Sequence, residues 1–169
     1  MMTLMTASLA TMLNLAPGPW LVINDDVMGG RSTASVAALG KGLRFEGQLS
    51  LDNNGGFSST RRLLTEPPAD SDGVRLEVRG DGRDYQFRLR QDQRFSGVAW
   101  RAPFSTSDDW QVIELRFDAF EPVYRGQPVP EAGPADPANV SQVGFMIADR
   151  REGRFELEVR RLEFFSDRS

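Results

Sequence analysis

The chain has 169 residues, 40% hydrophobic and 26% charged, with a formal net charge of −4. That composition suits one folded domain with a sizeable core and argues against disorder; the negative balance gives no general attraction to nucleic acid or to anionic lipid. Cys and His are both absent, which removes disulfides, thiolate nucleophiles and imidazole bases, and with them Ser-His-Asp and Cys-His triads, zinc centres and histidine-ligated haem.

In chain order, residues 1–19 read as an extension that is weakly structured or a short helix. Met5, Leu9, Met12 and Leu13 fall near helical spacing, and Pro17-Gly18-Pro19 then breaks any helix. No basic residue occurs before Trp20, so neither a secretory signal nor a transit peptide is predicted, and cytoplasmic residence is the expectation. No apolar run approaches the roughly 20 residues of a membrane-spanning helix, so no membrane insertion is expected.

From Trp20 the chain reads as short strands separated by Gly, Pro, Asn and Asp. A first strand runs into Asn24-Asp25-Asp26-Val27-Met28-Gly29-Gly30-Arg31-Ser32, and an alternating run at Leu43, Phe45, Gly47 and Leu49 leads to a second shaped loop, Asn53-Asn54-Gly55-Gly56-Phe57. Paired glycines admit close backbone approach, and Asn and Asp close turns through their own side chains. Val74, Leu76 and Val78 alternate with Arg75, Glu77 and Arg79. After Gly80-Asp81-Gly82-Arg83, Tyr85, Phe87 and Leu89 alternate with Gln86, Arg88 and Arg90. The pattern predicts a hairpin with one apolar face and one Arg-rich solvent face.

Further alternating runs follow at Val98, Trp100 and Ala102 and at Ile113, Leu115 and Phe117. Residues Glu121 to Asn139 hold five prolines, which rules out a central strand and predicts an excursion over one face. Val140 to Ala148 is nearly continuously apolar, as in a strand covered on both faces or packed centrally. In the last strand the apolar phase passes from Phe155, Leu157 and Val159 to Leu162 and Phe164. A β-bulge or a change of partner is therefore predicted at Arg160-Arg161. The expected fold class is all-β, a jelly-roll β-sandwich, forming one domain over 20–166 with a tail at 167–169.

Several residues could carry function. Asp25 and Asp26 could coordinate a hard cation, and the pairs Asp25-Asp26, Asp52-Asn53 and Asp108-Asp109 could supply oxygen ligands to a structural calcium ion, although their spacing matches no known calcium loop. The other reading of Asp25 to Ser32 is a turn whose carboxylates accept backbone N–H groups. Trp110 and Tyr124 lie outside clear alternation and are candidates for an exposed sugar-stacking platform. The basic residues are 19 Arg and one Lys, Lys41; coding bias explains that, or a face that binds phosphate or RNA.

The ordered set of motifs is more specific than any one of them. Trp20, the Asn24 to Ser32 run, Gly55-Gly56-Phe57-Ser58-Ser59 with Arg61, Gly80-Asp81-Gly82-Arg83 with Tyr85, Phe104 before Trp110-Gln111, Phe120 with Arg125-Gly126, Gly144-Phe145-Met146-Ile147, and Gly153 with Phe155 follow in fixed succession. The series closely resembles the complex I intermediate-associated protein family, across about residues 20–166. The resemblance implies a galactose-binding-domain-like jelly roll, similar to a carbohydrate-binding module. It also implies a role in assembling or stabilising protein complexes, with no catalytic residue and no cofactor. Mitochondrial members of the family carry a targeting extension that this chain lacks, so a stand-alone bacterial member is expected. Arg61 and Arg125 fall in the family motifs, where an ion pair with Asp25 or Asp81 would fix loop geometry.

Three functions follow. The leading one is a non-enzymatic assembly-factor module binding a protein partner through Met28, Gly29, Gly30, Gly56 and Phe57. The second is a carbohydrate-binding domain using Trp110 and Tyr124 with Asp25, Asn54 and Arg61. The third, a carboxylate hydrolase, requires two converging acids at about 5 Å or 6.5–9.5 Å.

Overall fold

The computed structural model describes residues 11–13, 15, 19–25, 29–93 and 97–167. Among these, the strands are β1 (Thr11–Met12), β2 (Leu21–Asn24), β3 (Thr33–Leu39), β4 (Gly42–Leu49), β5 (Ser58–Leu63), β6 (Gly73–Gly80), β7 (Asp84–Arg90), β8 (Ala99–Ser105), β9 (Gln111–Arg116), β10 (Glu121–Tyr124), β11 (Gln127–Pro128), β12 (Gln142–Ile147) and β13 (Gly153–Phe165). They form two antiparallel sheets. One has the order β3-β4-β13-β6-β9, with β1 added against β13; the other has the order β11-β10-β8-β7-β12-β5-β2. This is the all-β jelly-roll sandwich that the alternating strands predict.

The core lies between the sheets because each strand turns alternate side chains inward. Phe45, Leu76, Leu157 and Leu162 meet Tyr85, Phe87, Leu89 and Phe145 there, each 0% or 1% exposed. Phe87 and Phe145 pack edge-to-face at 5.4 Å, and Phe45 and Phe155 at 5.1 Å. Each such side chain contributes about 1.5–3 kcal/mol on burial.

Two sequence expectations hold in detail. The phase slip of the last strand is a bulge: Val159 pairs with Val78 and Arg161 with Glu77, leaving Arg160 as the extra residue, so Val159 and Leu162 both reach the core. The nearly continuous apolar run becomes β12, which sits centrally between β7 and β5.

One expectation fails. The runs at residues 74–78 and 85–89 are not a hairpin: β6 pairs with β13 and β9, whereas β7 pairs with β8 and β12. The chain crosses from one sheet to the other at Gly80-Asp81-Gly82-Arg83, so the two Arg-bearing faces point out of opposite sides of the sandwich. Alternation records an inward and an outward face and is blind to which strand pairs with which.

The extension also differs from its helical spacing. Thr11 and Met12 pair with Phe164 and Glu163, the Leu13 N–H donates to the Leu162 carbonyl at 2.9 Å, and Leu15 is buried in the core. Met5 and Leu9 lie outside the described residues. The Pro-rich excursion supplies β10 and β11 at one edge of the seven-stranded sheet, where Pro122 and Pro128 cost few ladder bonds. It is pinned by Trp100 Nε1, which donates to the Gly133 carbonyl at 3.0 Å.

Candidate functional site

The two shaped loops meet on one buried carboxylate. Asp25, 0% exposed, accepts at Oδ1 from the Ser32 N–H (2.9 Å) and at Oδ2 from Ser32 Oγ (2.6 Å) and the Gly56 N–H (2.7 Å), with the Phe57 N–H at 3.4 Å. Its own N–H donates to the Phe57 carbonyl, and Asn53 Nδ2 donates to the Gly29 carbonyl. A Cβ on Gly30 would lie 2.4 Å from Asp25 Cγ, and one on Gly55 would lie 2.5 Å from Oδ2. The glycines therefore make room for this carboxylate. Burial disfavours its charge, but the donors from Gly56, Ser32 and Phe57 outweigh that and hold the carboxyl below its ordinary value. With its oxygens taken by these donors, Asp25 is a clamp between loops. Among the described residues no group of three or more acidic side chains is placed to hold a metal ion.

The crossover between the sheets is built around Asp81 and Arg83. Asp81 accepts from the Arg83 N–H, the Tyr85 hydroxyl and the Glu156 N–H at 2.8–3.2 Å. Burial, with Asp81 beside it, pushes the Tyr85 phenol well above its ordinary value. Arg83, 6% exposed, grips Asp149 with Nε (2.9 Å) and Nη2 (2.6 Å). It also donates to the carbonyls of Arg151, Gly153 and Arg154. The expected ion pair of Arg61 or Arg125 with Asp25 or Asp81 does not form, because hydroxyl and backbone donors occupy Asp25, and Asp81 takes backbone donors and Tyr85. The guanidinium that fixes a loop is Arg83, which sequence reasoning passed over although it stands in the quoted motif.

The outer face of the six-stranded sheet is a ladder of ion pairs. Arg75 bonds Glu114 (2.9 Å) and Glu163 (2.8 Å), Arg79 bonds Glu158 (2.6 Å), Arg44 reaches Glu156 (3.1 Å) and Glu158 (3.4 Å), and Arg160 pairs with Glu77. Trp110 lies on this side with the guanidinium carbons of Arg160 and Arg79 at 4.3 and 4.8 Å from its ring centroid. A shallow hollow here is lined by Arg79, Gly80, Asp81, Asp108, Glu156 and Glu158. Both glutamates are engaged by arginines and Asp81 by the crossover, so none of these three stands ready as a general acid.

The outer face of the seven-stranded sheet is different. Its strand register places Leu21, Arg61, Gly144, Arg88, Arg101 and Glu121 in one row across β2, β5, β12, β7, β8 and β10. Leu63, Gln142 and Arg90 form the next row. Leu21 and Leu63 are 57% and 52% exposed. Arg88 Nη1 meets Gln86 Oε1 and Met146 Sδ, both at 3.0 Å, while its buried Nε has no acceptor. Burial, then the like charges of Arg90, Arg101 and Arg61, push the Arg88 guanidinium down to about 9. Arg61 is pushed down to about 10 by burial and Arg90, with Asp92 opposing. The sequence signal was the Gln86, Arg88, Arg90 alternation; what was missing was the strands beside it.

The remaining expected site residues scatter. Asp26 and Met28 lie outside the described residues. Gly29 and Asn54 are exposed, Gly30, Gly56 and Phe57 half-buried. Tyr124, 38% exposed, sits on β10 of the seven-stranded sheet beneath the Arg125 guanidinium at 5.3 Å. Trp110 and Tyr124 therefore belong to different sheets and do not make one stacking platform. Asp25, Gly30, Asn54, Gly56 and Phe57 share the loop cluster; Arg61, 9% exposed, belongs to the outer face of the seven-stranded sheet.

Comparison with known proteins bears on both features. A sequence model of the family described as complex I intermediate-associated protein 30 matches residues 12–159. The mouse (Mus musculus) protein "Complex I intermediate-associated protein 30, mitochondrial" is 25% identical over 183 aligned residues, covering 88% of this chain and 52% of the mouse protein. The chain thus spans about half the length of that relative. Among solved structures, a family 11 carbohydrate-binding module of a Clostridium thermocellum cellulosomal cellulase superposes with a TM-score of 0.72 at 17% identity, covering 95% of this chain and 97% of the module. The family 11 module from Clostridium thermocellum in complex with a β-1,3-1,4-mixed-linked tetrasaccharide gives 0.70 at 18% identity, covering 93% and 96%. At that identity the likeness is one of fold.

Proposed function

Because the chain belongs to the complex I intermediate-associated protein 30 family, we propose that it is a non-enzymatic, assembly-factor-type module that presents the outer face of its seven-stranded sheet to a protein partner. One observation carries the reading: that face combines exposed Leu21 and Leu63 with Arg61, Arg88, Arg90 and Arg101, and neither of the two register rows that hold them includes an aromatic residue. Aliphatic anchors beside guanidinium groups suit a protein surface, and a pyranose ring usually asks for an aromatic face. The loop cluster at Asp25 takes a structural role in this reading, setting the end of the sandwich next to β2 and β5.

The relative named for complex I makes assembly of a multi-subunit complex the activity carried over to this chain, and cytoplasmic residence remains part of the proposal. Among the described residues no helix is long and apolar enough to cross a membrane. The alternative, sugar recognition, draws on the fold of the carbohydrate-binding modules, but its two expected ring residues stand on separate sheets. The test is affinity capture from the native organism in parallel with a glycan array. A reproducible protein partner, lost from the double variant Leu21→Asp, Leu63→Asp, is the expected result. A glycan hit without any reproducible protein partner would replace this reading with the carbohydrate one.

A further inference from the structure

We infer that the chain forms a two-fold dimer by antiparallel pairing of β3 with the β3 of a second copy, which joins the two six-stranded sheets into one. No residue of the seven-stranded sheet takes part in the pairing, so it goes beyond the protein-partner reading above and is independent of it.

The free backbone groups of β3 fit their own copies. The two-residue turn Gly40-Lys41, with Gly40 at φ +58°, closes the β3-β4 hairpin on Leu39 and Gly42, which exchange hydrogen bonds. Bonded pairs then alternate along the ladder, so Ala37 with Arg44, Ser35 with Glu46 and Thr33 with Gln48 spend their N–H and C=O groups on each other. Ala34, Val36 and Ala38 turn theirs away from β4, and among the described residues no backbone bond meets them. They are spaced evenly about Val36. A two-fold axis at Val36 therefore sets Val36 against Val36 and Ala34 against Ala38, and each outward N–H meets an outward C=O.

The other described edges are protected. β11 is two residues long and ends on Pro128, β2 is four residues long, and β9 carries Glu114 and Arg116. Short strands, Pro and charge are the usual devices against edge pairing. β3 uses none of them: it runs for seven uncharged residues, with Thr33, Ser35, Ala37 and Ala38 exposed.

The side chains that then face each other favour a second copy as the occupant. On the inner side Val36 meets Val36 and Ala34 meets Ala38; on the outer side Ser35 meets Ala37 and Thr33 meets Leu39, so no charge is opposed within the run. Leu39, half-buried, comes beside the other copy's Thr33 at a shallow hollow lined in part by Thr33, Ser35, Gly47, Gln48 and Arg154. One strand back, each copy's Glu46 shares a row with the other's Arg44, so the charges flanking the join are opposite in sign. Arg31 and Lys41 face one another only past the ends of the run, where like charges confine the ladder to β3. Each copy offers one such edge, so the assembly closes at two.

Sedimentation velocity of the full chain from about 1 to 200 µM reads the assembly. The expected result is a species of twice the 18.8 kDa chain mass that grows with concentration. Ser35→Lys with Ala37→Lys sets like charges against each other across the axis and should weaken the dimer at least tenfold. Ser35→Lys with Ala37→Glu sets opposite charges there and should leave it within about twofold or tighter. Val112→Lys, at an exposed position of the β9 edge, should also leave it within about twofold. The chain has no Cys, so one introduced thiol reports the register. Under oxidised glutathione Val36→Cys should give a covalent dimer and Thr33→Cys should not, since position 36 faces itself within disulfide reach. Thermal melts confirm folding, and if a double variant does not fold, the two Cys variants carry the test. A chain that stays monomeric at 200 µM, a double-Lys variant that dimerises like its parent, equal crosslinking at positions 33 and 36, or loss of the dimer in Val112→Lys would overturn the pairing.

Discussion

The two outer faces of the sandwich begin from nearly the same local sequence and end in opposite electrostatic states. β6 offers Arg75, Glu77 and Arg79 outward and β7 offers Gln86, Arg88 and Arg90. On β6 the arginines find Glu114 on β9 and Glu158 and Glu163 on β13. On β7 the neighbouring strands bring Arg101 and Arg61. Hydrogen bonds donated to Glu163 and Glu114 raise the Arg75 guanidinium above its ordinary value, whereas burial and like charges press Arg88 below it. The arginines of the six-stranded ladder bond to glutamates of neighbouring strands, whereas Arg88 has only the neutral Gln86 and Met146 as its described hydrogen-bond partners. Partner strands therefore turn one alternating pattern into a face of ion pairs and a face on which arginines stand beside one another.

The largest expected effects come from the groups that keep the faces apart. Replacing Arg83 by Met strips Asp149 of its buried partner and frees three carbonyls, and should cost about 3–5 kcal/mol in a denaturant melt. If that loss were under about 1 kcal/mol, the crossover would be held by something other than this guanidinium. Asp25→Ala leaves the Ser32, Gly56 and Phe57 donors unmet and should cost about 3 kcal/mol, lowering Tm by roughly 6–12 °C.

Acid should act through the same two carboxyls. Asp25 and Asp149 both lie below their ordinary 3.8 in the folded chain, so the unfolded chain takes up protons first as pH falls. Their contribution is complete above about pH 5 and is lost as pH drops through 3.8 toward the folded values. Melts at pH 7, 4 and 3 should show this loss, and Asp25→Asn should flatten it. An unchanged slope in that variant would remove Asp25 as a cause.

On the faces themselves the effects are smaller and differ in sign. Arg75→Met should cost about 1 kcal/mol, since it leaves the buried Glu163 without its guanidinium and removes the cation over the Phe165 ring at 4.8 Å. Arg88→Met should cost nothing or stabilise by up to about 1 kcal/mol, because it relieves repulsion among four arginines and replaces an unmet donor with an apolar side chain. A destabilisation by Arg88→Met equal to that of Arg75→Met would erase the distinction between the faces.

Much of the architecture was legible because periodicity is a local property. The inward residues of β4, β6, β7 and β13 can be named from alternation alone, and the slip at Arg160 follows from counting positions. The ordered motifs identified the family, and with it the jelly roll. The candidate site was far less legible. Trp110 escaped the alternation and suggested a free ring, yet Arg79 and Arg160 cover it. The Asp25 loop suggested a ligand, yet its donors come from Ser32 and from Gly56, some thirty residues away.

The sequence by itself determined the inward and outward side of each strand, the bulge, the turns and the absence of imidazole and thiol chemistry, because each depends on residues adjacent in the chain or on composition. Only the tertiary structure decided that β6 and β7 separate into different sheets. That choice depends on long-range pairing, with Asp81 taking the Glu156 N–H and Arg83 gripping Asp149. Once it is made, Arg75 and Arg79 lie beside glutamates and Arg88 lies among arginines, and an electrostatic difference invisible in the alternation becomes the most distinctive surface of the protein.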